Sequence, residues 1–139
     1  MKNMIDLLGR IFLAFIFIYD AFDSLFYFDD TKAKMLEYGL TWHPGLLLNG
    51  AIFVLMIGGI LILMGYRTGL GAALILLYWL PATFLLYDWW DAEGLAQRDL
   101  AINFMKNLAI AGGLLIVSVN NSGKFSIRRL FATAKVPGT

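Results

Sequence analysis

Cysteine is absent from the chain, which excludes disulfides, thiol nucleophiles, thiolate-bound zinc and iron–sulfur clusters held by cysteine. His43 is the single histidine, so a bis-histidine haem within the chain is excluded too. Charged residues amount to 15% of the sequence and nearly cancel to a formal net charge of +1, which gives nucleic acid nothing to bind in bulk. There is no glycine-rich phosphate loop, nucleophile elbow or metal-ligand cluster, so no catalytic residue and no metal site is assigned.

What the chain has instead is apolar bulk. Of its 139 residues 60% are hydrophobic, and the excess lies in four long blocks at about 5–28, 46–66, 70–88 and 100–119. Blocks of roughly 20 apolar residues match the thickness of bilayer hydrocarbon. The fold class expected is all-α, an integral membrane antiparallel four-helix bundle forming a single domain over 1–139. A basic cytoplasmic tail is expected over 120–139.

The first block opens with Lys2 and Arg10 ahead of an apolar core, as a signal peptide would. No small-residue cleavage site follows, so the segment reads as a retained helix. Asp6 and Arg10 are four apart, a favourable helical pair, and Arg10 reads as a snorkelling anchor. Asp20 and Asp23, three apart, share a face inside the apolar run. The polar stretch that follows contains Met35, Leu36, Tyr38 and Leu40, spaced for a short interfacial helix stopped near Gly39. Trp42 suits an interfacial anchor, and His43 a solvated loop residue.

In the second block Ala51, Gly58 and Gly65 recur every seven residues, a stripe that lets another helix approach closely. The hairpin from Gly65 to Gly69 then forces the second and third blocks to be antiparallel neighbours. Pro81 should kink the third block. Trp79, Thr83, Tyr87 and Trp90 fall on one face, either as an aromatic belt or as a hydrogen-bonding wall for a quinone-like or lipid-like ligand.

The fourth block carries Lys106 about 9 Å inside a helix that begins near Leu100, at ~1.5 Å per residue. A charge at that depth costs about 2.5–3.5 kcal/mol unless it snorkels or is paired. Asn103, Lys106 and Asn107 share a face with Ile110 and Gly113, and that face should look inward. The candidate counter-ions at similar depth are Asp20, Asp23 and Asp88, with the first helix favoured. The pairing reads as a structural ion pair that fixes helix order, or as a polar pocket that holds a ligand.

Charge placement sets an expected orientation. Seven basic residues (Lys2, Arg10, Arg67, Lys124, Arg128, Arg129 and Lys135) lie at the termini and the short hairpin, against Lys32, Lys34 and Arg98 in the two other loops. The positive-inside rule makes both termini cytoplasmic.

Met64-Gly-Tyr-Arg-Thr-Gly69, the run from Ala82 to Trp90, and Asn103-Phe-Met-Lys-Asn-Leu-Ala-Ile-Ala-Gly-Gly-Leu-Leu115, together with Arg10 and Phe12, resemble the DoxX family of small four-helix membrane proteins. The segment Phe104 to Ala109 followed by Gly112 and Gly113 is the most specific part. Tyr87 stands where the family often places histidine. The resemblance implies a four-helix bundle and an association with redox systems, one branch resembling a subunit of thiosulfate:quinone oxidoreductase.

The function expected is a bacterial inner-membrane accessory subunit of a quinone-linked redox complex, in contact with the lipid bilayer and a larger membrane assembly. Its polar pocket would centre on Lys106, with a quinone or a lipid as the non-covalent ligand. If it belongs to an enzyme, it does so as a membrane subunit of an oxidoreductase. The rival expectations are a non-catalytic assembly subunit and a small-solute or proton pathway.

Overall fold

A segment that crosses a bilayer has to satisfy its own backbone, and the apolar blocks do so as helices. The computed structural model describes residues 1–120; the expected basic tail lies, beyond Asn120, outside the described residues. The helices are α1 (Lys2–Phe26), α2 (Phe28–Glu37), α3 (Pro44–Met64), α4 (Thr68–Leu86) and α5 (Gly94–Val119), and the described residues contain no strand. The protein is an all-α membrane protein. Helices α3, α4 and α5 are each long and apolar enough to span a membrane, and α1 meets that test only together with α2, from which it bends by 95°.

The bend at Tyr27 has local causes. The Tyr27 N–H closes α1 on Asp23 O at 2.9 Å, while the Tyr27 carbonyl accepts both the backbone N–H and the hydroxyl of Thr31. A new helix starts there, with Asp29 and Asp30 in its first turn and Lys34 in its last, each matching the helix dipole. It stops at Gly39, whose φ of +83° allows Leu40 N–H to reach back to Met35 O at 3.0 Å. Gly65, at φ +68°, ends α3 by the same device through Tyr66 N–H and Leu61 O.

Neighbouring helices run antiparallel, as their contacts show. Arg10 of α1 meets Leu63 of α3, and Ile18 further along α1 meets Gly59. Gly71 of α4 meets Leu61 and Gly58 of α3, while Ile75 sits over Gly58. Between α4 and α5 the pairs are Gly69 with Ser118, Trp79 with Asn107, and Phe84 with Phe104.

Among lipid tails no hydrophobic force drives helices together, so close packing of small residues carries more of the association. A Cβ on Gly58 would lie 2.5 Å from Ile75 Cγ1 and 3.0 Å from Gly71 O, and one on Gly59 would lie 2.9 Å from Ile18 Cγ1. The Gly58–Gly59 pair thus admits α4 on one side and α1 on the other. Around it lies the core of Ala14, Phe17, Leu55, Ile62, Ala72, Ile75, Ala111 and Leu114. The seams α1–α3, α3–α4 and α4–α5 are extensive, whereas α1 and α5 barely touch.

One element boundary differs from the sequence expectation. The fourth block begins at Gly94 rather than near 100, and the extra turns are polar. Leu95, Ala96, Gln97 and Arg98 are good helix formers that need no hydrocarbon around them, so hydropathy alone undercounts the helix. Pro81 lies inside α4 with its side chain exposed.

Candidate functional site

Two polar groupings stand out against the apolar bundle, one at the end that carries the N-terminus and one at the end that carries α2. At the terminal end Arg10 is 1% exposed. Its Nε donates to Asp6 Oδ2 at 3.0 Å, and its Nη1 to the Leu63 carbonyl at 3.5 Å. Leu63 O is one of the last carbonyls of α3, left without an intrahelical partner by the turn at Gly65. A guanidinium there also matches the negative end of the helix dipole. Arg10 is therefore a buried cap that joins α1 to α3, not the snorkelling anchor its position suggested. The Asp6 spacing was visible in the sequence; the Leu63 partner depended on the α1–α3 register.

At the other end three helices bring polar groups together. Asp20 comes from the last third of α1, Tyr87 from just past the end of α4, and Asn107 from the middle of α5. Asp20 lies within electrostatic reach of both Tyr78 and Tyr87, and the Asn107 side chain is close enough to hydrogen-bond the Tyr87 hydroxyl. Tyr38, at the end of α2, reaches the same place. Burial pushes the Tyr87 phenol above its ordinary pKa, the Asp20 and Tyr38 charges push the same way, and the Asn107 hydrogen bond opposes them. Asp20, Tyr78, Tyr87 and Asn107 are all partly, not fully, covered.

Beneath it lies a rigid floor. The Trp79 ring meets Phe17 edge-on at 5.1 Å, and its Nε1 donates to the Asn107 carbonyl at 3.3 Å. The Thr83 hydroxyl donates to Trp79 O at 2.7 Å. Both donors are therefore already used inside the bundle, so Trp79 and Thr83 supply support rather than free hydrogen bonds. Trp90 packs against Phe84 and Phe104, with ring centroids 6.5 and 6.0 Å away, and fastens the α4–α5 turn. Among the described residues the Nε1 of neighbouring Trp89 is buried with no acceptor.

The expected centre of the site is corrected. Lys106 is exposed, and among the described residues it forms no ion pair with Asp20, Asp23 or Asp88. The cause is the rotation of α5. Phe104 is 6% exposed because it packs on Phe84 and Trp90, and Ala111 and Leu114 follow it into the core. At ~100° per residue, Lys106 then sits about 160° around the helix from Phe104. It shares an open face with Arg98, Ala101, Ile102, Met105 and Ala109. Asn103 is exposed as well and turns its amide to Asp99 O at 3.0 Å. Asp23 is exposed on α1, and Asp88 lies half-covered in the turn after α4 with no ion-pair partner among the described residues. Of the ten residues expected to form the pocket, Asp20, Tyr87, Asn107, Trp79 and Thr83 meet, Asp23 lies within electrostatic reach of Asp20, and the other four do not join them. Tyr78 and Tyr38 belong to the grouping without having been singled out. Tyr78 stands next to Trp79 in the chain, and only the helix register tells which of the two faces Asp20.

A family model described as DoxX matches residues 5–88. The inner membrane protein YphA of Escherichia coli strain K12 is 32% identical over 128 residues, covering 92% of this chain and 91% of that protein. The inner membrane protein YqjF of the same strain is 32% identical over 133 residues, covering 94% of this chain and 96% of that protein. No solved structure matches. The family match takes in the first three apolar blocks and stops before the Asn103–Leu115 stretch on which the resemblance leaned hardest.

Proposed function

Because the chain belongs to the DoxX family, whose two matched relatives are named inner membrane proteins, we propose that it is an accessory membrane subunit of a quinone-linked redox assembly. Its ligand site is the Asp20–Tyr87–Asn107 grouping, with Tyr78 and Tyr38 at its margins. The observation that carries this reading is the meeting of an acid from α1, a phenol from the end of α4 and an amide from α5, a grouping apart from the Arg10–Asp6 cap at the other end of the bundle. Ionisable and polar groups inside a membrane bundle are costly and mark functional sites by default. A quinone head-group offers two carbonyl acceptors and a flat ring. Tyr87 and Asn107 supply donors to such a carbonyl, Asp20 lies within reach of the proton chemistry, and Trp79 gives the ring a fixed aromatic floor. The orientation that fits the basic residues at the termini puts both termini in the cytoplasm and this site in the outer half of the bilayer.

The test is purification from native membranes in mild detergent, followed by extraction and chromatography of bound quinone. Quinone should co-purify at a fixed ratio, fall strongly in Tyr87→Phe and Asn107→Leu, and remain in Lys106→Met. Wild-type protein free of quinone, or equal content in all variants, overturns the reading. A stoichiometric partner protein without a small molecule would favour the assembly-subunit alternative instead.

A further inference from the structure

Lys106 and Asp23 pose one question together. Each is an exposed charge on an apolar helix, and neither has an ion-pair partner among the described residues. Around Asp23 the exposed side chains of α1 are Tyr19, Phe22 and Phe26; beside Lys106 on α5 they are Ile102 and Met105. These are surfaces made for lipid or for another protein, interrupted by Asp23 on α1 and by Lys106, with Arg98 further along the same face, on α5.

Their heights agree. Leu13 of α1 reaches Gly113 of α5, where an added Cβ would be 3.5 Å from Leu13 Cδ1, and this fixes the relative level of the two helices. From that contact Asp23 lies ten residues along α1 and Lys106 seven residues back along α5, so at ~1.5 Å per residue they differ by about 4.5 Å in height. Side chains lean toward their own helix N-terminus. Because α1 and α5 run in opposite directions, Asp23 leans toward the level of Lys106 and Lys106 leans toward the level of Asp23. The remaining offset is within the reach of a lysine.

Their positions around the bundle agree too. On α1, Leu13 faces α5, and Asp23 lies about 80° further round in the direction that leaves the core, at ~100° per residue. On α5, Gly113 faces α1, and Lys106 lies about 20° from it by the same count. Both charges therefore border the α1–α5 seam, where the two helices touch little.

We propose that this seam is the interface of a parallel two-fold dimer, in which Lys106 of each copy pairs with Asp23 of the other. A two-fold axis along the membrane normal keeps levels unchanged and sets α5 of one copy against α1 of its partner. The two symmetry-related pairs then neutralise all four charges. A second copy is the occupant that charge complementarity selects, since this chain itself supplies the matching acid at the matching height. The proposal does not rest on the ligand site, although Asp23 lies within electrostatic reach of Asp20.

The chain has no cysteine, so crosslinking can be read without background. Two copies with different tags, one Asp23→Cys and one Lys106→Cys, are co-expressed and treated with a short bis-maleimide in native membranes. The expected result is a heterodimer band carrying both tags. Asp23→Cys paired with Leu77→Cys, a position on α4 that is 77% exposed, should give only a collision background. Equal yields in the two pairings overturn the proposal, as does crosslinking confined within single chains of the Asp23→Cys, Lys106→Cys double variant. A charge test is independent of thiols. Lys106→Asp and Asp23→Lys should each weaken dimerisation in lipid nanodiscs roughly tenfold or more, and the double exchange should restore it. A monomeric wild-type chain, or a dimer indifferent to all three variants, contradicts the pairing; in that case Lys106 answers to lipid phosphate or to another protein.

Discussion

The terminal half of the bundle and the α2 half solve the packing of the same helices in opposite ways. From Arg10 to Phe17 the helices meet through glycine and alanine, and an added methyl at Gly58 or Gly59 has nowhere to go. Among the described residues the one charged side chain buried there, Arg10, is paired with Asp6 and with an α3 carbonyl. Along the bundle α1 and α5 touch little, with Leu13 against Gly113 in the terminal half. Aromatic rings take over between α4 and α5, and polar groups sit half-covered around Asp20 and Tyr87. Small residues give proximity and rigidity, and they leave no room for a ligand. Aromatic packing between α4 and α5 leaves an acid, a phenol and an amide only partly covered.

That contrast is most easily broken at Gly58. Gly58→Leu should be the most damaging single change, costing on the order of 3 kcal/mol because Ile75 and the Gly71 backbone both obstruct it. Thermal unfolding in detergent would show it, and an unchanged midpoint would mean the α3–α4 seam is looser than described. Arg10→Met should cost about 2 kcal/mol, since it strips a charged hydrogen bond from Asp6 and uncovers the Leu63 carbonyl. Retention of full stability would mean that Arg10 does not cap α3.

Changes in the α2 half should be gentler. Trp79→Phe keeps the contact with Phe17 but loses the donor to Asn107 O, a loss of roughly 1 kcal/mol in the same unfolding assay. The smallest effect concerns pH. Tyr87 has a folded pKa raised above its unfolded value, so the folded state holds its proton longer, and this contribution is present below about pH 10 and lost as the pH climbs through the folded value. Stability should therefore fall above pH 10 slightly less in Tyr87→Phe than in the wild type, in unfolding measured across that range. Identical slopes would show that the phenol is not shielded.

The sequence carried the terminal half well and the α2 half poorly, for a physical reason. Ala51, Gly58 and Gly65 recur at heptad spacing, and all three are buried. A stripe of that kind allows only one face to turn inward. Helix α5 has no such marker. It is apolar around most of its circumference, so its rotation is decided by where Phe104 finds Phe84 and Trp90, which no local pattern announces. Asn107 and Lys106 are adjacent in sequence, yet one joins the polar grouping and the other faces away from it. The depth of Lys106 could be counted; its direction could not. The same limit applies to Tyr78 and Trp79. The extra helical turns from Gly94 were hidden because hydropathy reports what touches lipid and not what is helical.

The contrast between the halves reduces to a single question of access, and an absence of native thiols makes it answerable. Asn107 and Ala111 lie one turn apart on the same side of α5; Asn107 is in the half-covered grouping and Ala111 is 5% exposed in the core. A membrane-impermeant, water-soluble thiol reagent should label Asn107→Cys readily and Ala111→Cys hardly at all, with stability of both variants checked by the same unfolding assay. Protection of both positions, or equal labelling of both in folded protein, would contradict an open polar site above a sealed core.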